Sequence, residues 1–250
     1  MTLQQAELPE PSDDARAASD ALTQVIAAEI AARGGWISFA RYMELALYAP
    51  GLGYYSGGSH KFGGHQSGGD FLTAPELTPL YAQALARQVA QILAASSPVV
   101  MEAGAGSGKL AADMLLALAA LGCAPKCYRI LELSGELRAR QQATLAEQAP
   151  QFADRVEWLD ELPEHYSGCL IGNEVLDAMP THALRWEADD AGEGGEPRML
   201  ERGVSLSDGR LVEAEEPALG ALLAAAQAMP LLAPYRGEIS LAARSWVSEL

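Results

Sequence analysis

Glycines at alternate positions, preceded by an acid and followed by a lysine, distinguish the segment 99–110 from the rest of the sequence. It reads Val-Val-Met-Glu-Ala-Gly-Ala-Gly-Ser-Gly-Lys-Leu, an apolar run that leads through a turn into residues with helical spacing. Glycine lets the backbone approach a ligand closely, and the start of a helix offers N–H groups without intrahelical partners. The segment therefore predicts a strand, a glycine loop and a helix that together bind a nucleotide-like ligand.

Three kinds of ligand-binding loop resemble this segment. A dinucleotide loop has a third glycine where this chain has Lys109, because the helix must pack closely on the strand there. A phosphate-binding P-loop has a lysine at that position but follows it with a serine or threonine that binds Mg²⁺, and this chain has Leu110. The E-x-G-x-G-x-G loop of S-adenosylmethionine (SAM) methyltransferases matches at all four defined positions: Glu102, Gly104, Gly106 and Gly108. The loop favours SAM, which carries no phosphate and needs no metal.

Acidic and amide side chains end two other predicted strands. Glu132 closes the strand predicted at 127–133, and Asn173, Glu174 and Asp177 follow a later apolar strand. Because a parallel sheet binds ligands at the carboxyl ends of its strands, we expect these side chains to line one crevice. Glu132 is expected to bind the two ribose hydroxyls of the cofactor. The later group indicates function, since polar side chains after an apolar strand are costly to bury unpaired.

The spacing of apolar residues predicts the elements that position these groups. Strands and helices alternate from Pro98 to Asn173, which predicts right-handed crossovers and a parallel sheet. Beyond Pro180 the pattern changes to antiparallel strands, with Asp208-Gly209 as a hairpin turn. These strands are predicted at 183–187, 198–205 and 210–213, and flanking helices at 15–33, 38–49, 78–95, 217–229 and 238–250.

The chain is predicted to have three parts. Residues 1–14 carry acids and prolines without periodicity and are expected to form a disordered tail. Residues 15–95 are expected to form an N-terminal helical segment with a glycine-rich lid loop at 51–69. Residues 96–250 are expected to form an α/β domain with a β insertion at about 183–215.

The composition excludes several classes of protein. A chain of 250 residues, 49% hydrophobic and 20% charged, has the composition of a globular protein with one or two domains. Its net charge of -16 argues against a nucleic-acid surface. The three cysteines and four histidines lack metal-site spacing, so no metal site is expected. Without an apolar run of about 18 residues or a signal or transit pattern, we expect no membrane insertion and a cytoplasmic location.

Four motifs in order along the chain resemble the MidA family of SAM-dependent methyltransferases, whose mitochondrial members assist assembly of respiratory complex I. The motifs are Gly53-Tyr54-Tyr55, Gly69-Asp70-Phe71-x-Thr73-x-Pro75-Glu76, the Glu102–Gly108 loop, and Asn173-Glu174-x-x-Asp177-Ala178-x-Pro180. The resemblance implies a class I methyltransferase fold, which is Rossmann-like and α/β. It also implies ω-N-methylation of an arginine in a protein partner, in the mitochondrial members a complex I subunit.

The resemblance implies a role for each matching residue. Glu174 is the first choice, and Asp177 the second, for the carboxylate that binds the guanidinium group and directs a nitrogen towards the methyl carbon. Asp70 is expected to be a third catalytic carboxylate or part of a lid. The expected cofactor contacts are Glu102, Gly104, Gly106, Gly108, Glu132, Leu133, Asn173, Thr73 and Pro75.

One feature departs from the MidA family. The family fold needs a seven-stranded sheet, and after Trp246 this chain stops without the later strands of that sheet. We therefore expect a truncated chain whose cofactor loop is whole but whose substrate wall is incomplete. Two alternatives remain: a non-catalytic assembly factor that retains the fold, and a P-loop NTPase that uses Lys109.

Overall fold

A computed structural model of the chain describes residues 10–56, 72–187 and 198–250. Several predictions lie outside these ranges: residues 1–9 of the tail, residues 57–69 of the lid loop, and Asp70. Along the chain the elements are α1 (Asp13–Ala32), β1 (Trp36–Ser38), α2 (Phe39–Tyr48), α3 (Ala74–Leu77), α4 (Pro79–Ala95), β2 (Val99–Ala103), α5 (Lys109–Ala120), β3 (Cys127–Leu131), α6 (Gly135–Gln148), β4 (Val156–Leu159), β5 (Cys169–Gly172), β6 (His182–Glu187), β7 (Arg198–Ser207), β8 (Arg210–Pro217), α7 (Gly220–Gln227), β9 (Tyr235–Ile239) and α8 (Leu241–Glu249). Short 3-10 helices lie at Pro150–Arg155 and Leu176–Ala178.

The chain divides into two compact units. The parallel unit comprises Gly58–Ala178, and the antiparallel unit comprises Met1–Gly57 together with Met179–Glu249. Each unit has its own sheet and its own buried apolar cluster. The predicted switch from parallel to antiparallel pairing near Pro180 therefore coincides with a boundary between the units.

The parallel unit contains a four-stranded sheet in the order β4-β3-β2-β5. All three pairings are parallel, with Val99 opposite Cys127 and Val100 opposite Cys169. Helices α4 and α5 supply much of the buried core, for example Val89 and Leu115. The predicted parallel sheet is confirmed, and its central strand β2 ends directly in the glycine loop.

Local side-chain bonds explain where the helices of the parallel unit begin. The Thr78 hydroxyl accepts a hydrogen bond from the Leu80 N–H at 3.3 Å, and Pro79 occupies the first helical position of α4. The Ser134 hydroxyl accepts from the Leu137 N–H at 3.3 Å at the start of α6. Both caps follow the local rule that a hydroxyl side chain precedes the first turn of a helix.

The antiparallel unit contains a five-stranded sheet in the order β1-β7-β6-β9, with β8 paired to β7. Asp208 and Gly209 have positive φ values of 50° and 74° and join β7 to β8, as predicted for a hairpin turn. Leu222 of helix α7 and Trp186 of β6 belong to one buried cluster. Helices α1 and α2 pack against the other end of the sheet, around Ile37 and Val204.

The end of the chain differs from the sequence prediction. A helix was expected to begin at Glu238, but residues Tyr235–Ile239 form strand β9 and pair with β6. Helix α8 begins only at Leu241, after the Ser240 hydroxyl accepts a hydrogen bond from the Ala243 N–H at 3.0 Å. Pairing with a strand about 50 residues earlier determines the extended conformation of this segment. The local spacing of apolar residues carries no information about such a distant partner.

Within the residues that the structure describes, no helix has both the length and the apolar character needed to cross a membrane.

Candidate active site

The glycine loop after β2 has a backbone that depends on its glycines. Gly104, Gly106 and Gly108 have φ values of +64°, +54° and +84°, a region that side chains with a Cβ rarely adopt. The Gly104 N–H donates to the Leu131 carbonyl oxygen at 3.2 Å, which joins the loop to the end of β3. The alternate glycines are therefore required by the path of the chain.

Gly108 is also a point of close approach between the loop and helix α6. A Cβ placed on Gly108 would lie 2.9 Å from the Cα of Gln141, closer than real Cβ contacts come. The obstacle is backbone, so a small rotation of a side chain would not relieve it. The third glycine of the motif thus allows α6 to lie directly against the loop.

Several N–H groups of the loop remain available for a ligand. Gly108 donates its N–H to the Ala105 carbonyl oxygen at 2.8 Å, and the Lys109 N–H donates to the Ser107 hydroxyl at 3.2 Å. The N–H groups of Ala105, Gly106 and Ser107 donate to no atom of the residues described. Unpartnered N–H groups at the start of a helix are typical of a site for the polar end of a nucleotide-like ligand.

Glu132 lies just after β3 with its carboxylate already oriented. One oxygen accepts from the Ser134 N–H at 2.9 Å, and the other accepts from the Gln141 side-chain amide at 3.0 Å. Only 9% of the residue is exposed. An ionised carboxylate offers about four acceptor positions, so two remain for ligand hydroxyls. This geometry fits the expected role of Glu132 as the ribose-binding acid.

Gln141 was not singled out from the sequence. It lies in the middle of α6, is fully buried, and donates to both the Gly106 carbonyl oxygen at 3.2 Å and Glu132. Its own oxygen accepts from the Trp158 indole N–H at 2.9 Å. The available signal was weak, because a glutamine in the middle of an amphipathic helix is usually assigned to the solvent face.

Glu102 occupies a different environment from Glu132. It is 2% exposed, and its carboxylate accepts a hydrogen bond from the Tyr128 hydroxyl at 2.6 Å. Burial raises the pKa of Glu102 to about 7, although the Tyr128 hydroxyl opposes that change. The structure thus places Glu102 in the core beneath the loop, and its direct contact with the cofactor stays a prediction.

Lys109 forms an ion pair with Asp113 one turn further along α5. Both side chains are largely buried, so the lysine is neutralised by its own helix. A P-loop lysine instead reaches the phosphates of its ligand. Together with Leu110, this pairing argues against the NTPase interpretation.

The residues after β5 lie beside the loop. Asn173 accepts a hydrogen bond from the Tyr81 hydroxyl at 2.8 Å, which anchors it to α4. A Cβ on Gly104 or on Gly172 would lie 3.4 Å or 3.2 Å from the Cγ2 atom of Val175. The Val175 side chain therefore packs against both strand ends, and the segment carrying Glu174 adjoins the glycine loop.

Glu174 and Asp177 are both exposed to solvent. Glu174 has a φ of +53°, an uncommon conformation for a residue with a side chain, and Asp177 lies in the 3-10 helix Leu176–Ala178. Such strain is found preferentially at functional positions. The strain at Glu174 is therefore a physical reason to regard this residue as the stronger candidate of the two.

Helix α3 brings the Thr73–Glu76 segment to the loop. Pro75 is buried, Thr73 precedes the first turn, and the Ser107 hydroxyl donates to Glu76. Glu76 belongs to a motif but was not predicted as a site residue, and its hydrogen bond from Ser107 places it beside the glycine loop. Leu133 is 78% exposed, next to Glu132, and its contact with a cofactor stays a prediction.

The residues around the loop fit SAM better than they fit a nucleotide phosphate. A carboxylate with free acceptor positions suits the ribose, and free backbone N–H groups suit the carboxylate of the amino-acid part. The loop's lysine is neutralised by Asp113, so it adds no free charge for a phosphate. In the part of the chain described, no cluster of three or more metal-ligating side chains occurs.

Comparison with known families decides the classification. Residues 84–250 match the family described as "Putative S-adenosyl-L-methionine-dependent methyltransferase". The chain belongs to this family. The resemblance noted in the sequence is therefore confirmed, and the predicted cofactor, SAM, is the cofactor of the family.

Two solved structures that are similar to this chain share its fold. A crystal structure from Burkholderia thailandensis, described as a candidate methyl transferase bound to S-adenosyl-homocysteine, is 53% identical with a TM-score of 0.87. A second, uncharacterised structure from the same organism is 51% identical with a TM-score of 0.82. The alignments cover 97% of this chain and 62% or 60% of those chains. The predicted class I methyltransferase fold is confirmed.

Curated relatives of the methyltransferase family carry a more specific name. The Caenorhabditis elegans "Protein arginine methyltransferase NDUFAF7 homolog, mitochondrial" is 29% identical over 176 residues, covering 62% of this chain and 41% of the relative. The Mus musculus "Protein arginine methyltransferase NDUFAF7, mitochondrial" is 31% identical over 182 residues, covering 60% and 40%. The chain thus spans about two fifths of the length of these relatives.

Proposed function

We propose that this chain carries the cofactor site of a SAM-dependent protein arginine methyltransferase and contributes carboxylates to its reaction. The observation that carries the proposal is the position of Glu132: its carboxylate is oriented by two donors beside a glycine loop with free N–H groups. The names of the relatives from worm and mouse support arginine in a protein as the methyl acceptor.

The reaction needs both a methyl donor and a group that prepares the acceptor nitrogen. SAM, when bound, would supply a methyl group attached to a positively charged sulfur. On transfer of the methyl group, the sulfur keeps the electron pair of the broken carbon–sulfur bond. Glu174 binds the guanidinium group through two parallel hydrogen bonds and directs one nitrogen towards that methyl group. Arginine is protonated near neutral pH, so the negative charge of Glu174 also stabilises the cation while the attacking nitrogen loses its proton to solvent, to which this segment is exposed.

Asp177 is the second carboxylate in this proposal. It lies three residues after Glu174, and both are exposed on the segment that follows β5. Asn173 is tied to Tyr81, which limits how far the start of this segment moves. The exposed carboxylates are thus carried on an anchored segment, as a site for a large protein substrate requires. Asp70 stays a prediction as a third carboxylate.

Binding of S-adenosyl-homocysteine, measured by calorimetry, tests the cofactor part of the proposal. We expect one site per chain and a loss of affinity of about tenfold or more in Glu132→Gln, because the variant loses a charged acceptor. Glu136→Gln is the matched control, since Glu136 is an exposed acid at the start of α6. If the folded chain does not bind S-adenosyl-homocysteine but binds Mg²⁺-ATP through Lys109, the proposal is contradicted.

Transfer of a labelled methyl group to an arginine-containing protein tests the reaction part. We expect transfer to fall about a thousandfold when Glu174 is changed to Gln, while binding of S-adenosyl-homocysteine persists. Binding without any transfer to mitochondrial or bacterial protein extracts would instead support the non-catalytic assembly factor. The two experiments therefore separate the cofactor from the chemistry.

A further inference from the structure

Helix α6 touches the glycine loop through two side chains as well as through its backbone. The Gln141 amide donates to the Gly106 carbonyl oxygen at 3.2 Å, and the Thr144 hydroxyl donates to the Ser107 carbonyl oxygen at 2.7 Å. Gln141 and Thr144 are three residues apart and so lie on one face of the helix. One helix face therefore binds two successive carbonyl groups of the loop.

This arrangement determines the direction of a loop N–H group. The Gly106 carbonyl and the Ser107 N–H belong to the same peptide unit, which is planar and trans, so they point in opposite directions. Because Gln141 holds the carbonyl oxygen towards α6, the Ser107 N–H points away from α6. That N–H group has no acceptor among the described residues. This is what we expect of a donor that binds a ligand.

The orientation of the Gln141 amide is unambiguous. The indole N–H of Trp158 donates and never accepts, so the atom 2.9 Å from it must be the Gln141 oxygen. The amide nitrogen then faces the other way and donates one hydrogen to Gly106 and one to Glu132. Trp158 thus sets the direction in which Gln141 donates.

We propose that Gln141 is a positioning residue for the cofactor. It holds the Gly106–Ser107 peptide and the Glu132 carboxylate in a fixed relative position, so that the Ser107 N–H and the Glu132 carboxylate contact the same ligand. The inference rests on the proposed function, since it assumes that SAM binds between these two groups. Gln141 itself is fully buried and acts through its two partners.

Packing alone does not account for a glutamine at this position. Burying an amide is costly unless its hydrogen bonds are made, and a methionine of similar volume would fill the same space. Gln141 makes all three of its bonds to groups of the candidate site or to the residue that orients it. A role in positioning is the simplest physical reason for a buried amide here.

Four variants test the proposal through affinity for S-adenosyl-homocysteine. Gln141→Met removes both donated bonds at nearly constant volume, and we expect the dissociation constant to rise about tenfold or more. Trp158→Phe removes the orienting donor, and Thr144→Val removes only the second bond to the loop, so we expect a rise of roughly threefold for each. The matched control is Gln142→Met, the same change at an exposed neighbour on α6, which should leave affinity unchanged.

Stability is measured on the same variants without ligand, with Leu145→Val as a reference for a loosened α6. Leu145 is buried on the same helix but makes no bond to the loop. We expect Leu145→Val to lower the melting temperature without changing affinity. If Gln141→Met folds and binds as tightly as the parent chain, or if affinity merely follows melting temperature across the variants, the proposal is overturned.

A second measurement decides the proposal even if the parent chain binds no S-adenosyl-homocysteine, a result that would remove the proposed function. The Ser134 N–H donates to Glu132, so its exchange with solvent reports how firmly that carboxylate is held. We expect Gln141→Met to accelerate exchange of the Ser134 amide about tenfold in the free chain, with Gln142→Met as the control. Unchanged exchange would show that Gln141 does not hold Glu132.

Discussion

Two strand ends of the parallel sheet each carry a glutamate, and the two glutamates differ in every physical respect. Glu132, after β3, is 9% exposed and accepts two hydrogen bonds from its own unit. Glu174, after β5, is exposed and sits on a backbone with a φ of +53°. A third acid, Glu102, is buried below them and accepts from Tyr128.

The difference between the two ends indicates a division of work. A carboxylate that must recognise the same small ligand each time gains from being oriented before binding, because less conformational entropy is then lost. A carboxylate that must meet a side chain of a large protein has to be reachable from solvent. On this comparison, we propose the β3 end as the end that binds the cofactor and the β5 end as the end at which the reaction occurs.

Glu174→Gln is expected to have the largest effect and to separate the two ends most clearly. Methyl transfer should fall about a thousandfold, roughly 4 kcal/mol, because the guanidinium loses its charged partner. Affinity for S-adenosyl-homocysteine should stay within about twofold. Rates and affinities are compared with those of Glu161→Gln, a change of an exposed acid elsewhere in the unit. If Glu174→Gln lowered cofactor affinity and methyl transfer equally, the two strand ends would not have separate functions.

Gly108→Ala should damage the binding end next most strongly. The added Cβ would lie 2.9 Å from the Cα of Gln141 at a φ of +84°, so we expect about 3 kcal/mol of destabilisation. Gly122→Ala is the control: its φ is +74°, but its Cβ would meet no described atom within 4 Å, so only about 1 kcal/mol of backbone strain is expected. Similar denaturant midpoints for the two variants would show that α6 moves away from the added Cβ at little cost, which would contradict the prediction.

The pKa of Glu102 predicts how stability depends on pH beneath the binding end. Its folded pKa of about 7 lies above the ordinary value of 4.5, so folding favours the protonated form. The stability that this protonation contributes is full below about pH 4.5 and is lost as pH rises through 7, by roughly 3 kcal/mol. In Glu102→Gln this part of the pH dependence should disappear, which denaturant unfolding between pH 5 and 8 measures. The reverse slope would contradict the burial of an acid here.

Glu174→Gly should have the smallest effect on stability and the opposite sign. Glycine adopts a positive φ without strain, so the variant should be more stable by about 0.5–1 kcal/mol while losing methyl transfer. Thermal unfolding of Glu174→Gly beside Glu174→Gln separates backbone strain from the loss of the carboxylate. If both variants have the same melting temperature, the positive φ at this position does not lower the stability of the chain.

Much of the parallel unit was predictable because its signals are local. In this unit the glycines at 104, 106 and 108 and the cap at Ser134 are set by backbone conformation within a few residues, and so is the turn at Asp208-Gly209 in the antiparallel unit. Strand β9 was not predictable in this way, because residues 235–239 owe their conformation to pairing with β6. The same holds for Gln141, whose importance appears only once α6 is placed against the loop.

The sequence by itself determined the order of strands and helices in the parallel unit, the path of the loop and the family to which the chain belongs. These follow from periodicity, from glycine at positive φ and from residues at short fixed spacings. Only the tertiary structure decided the surroundings of each acid. Glu102, Glu132 and Glu174 all appear in sequence as acids near a strand end, but one pairs with a tyrosine in the core, one is oriented by α6, and one faces solvent. Burial and hydrogen-bond partners set the behaviour of a carboxylate, and both depend on how the strands and α6 pack together.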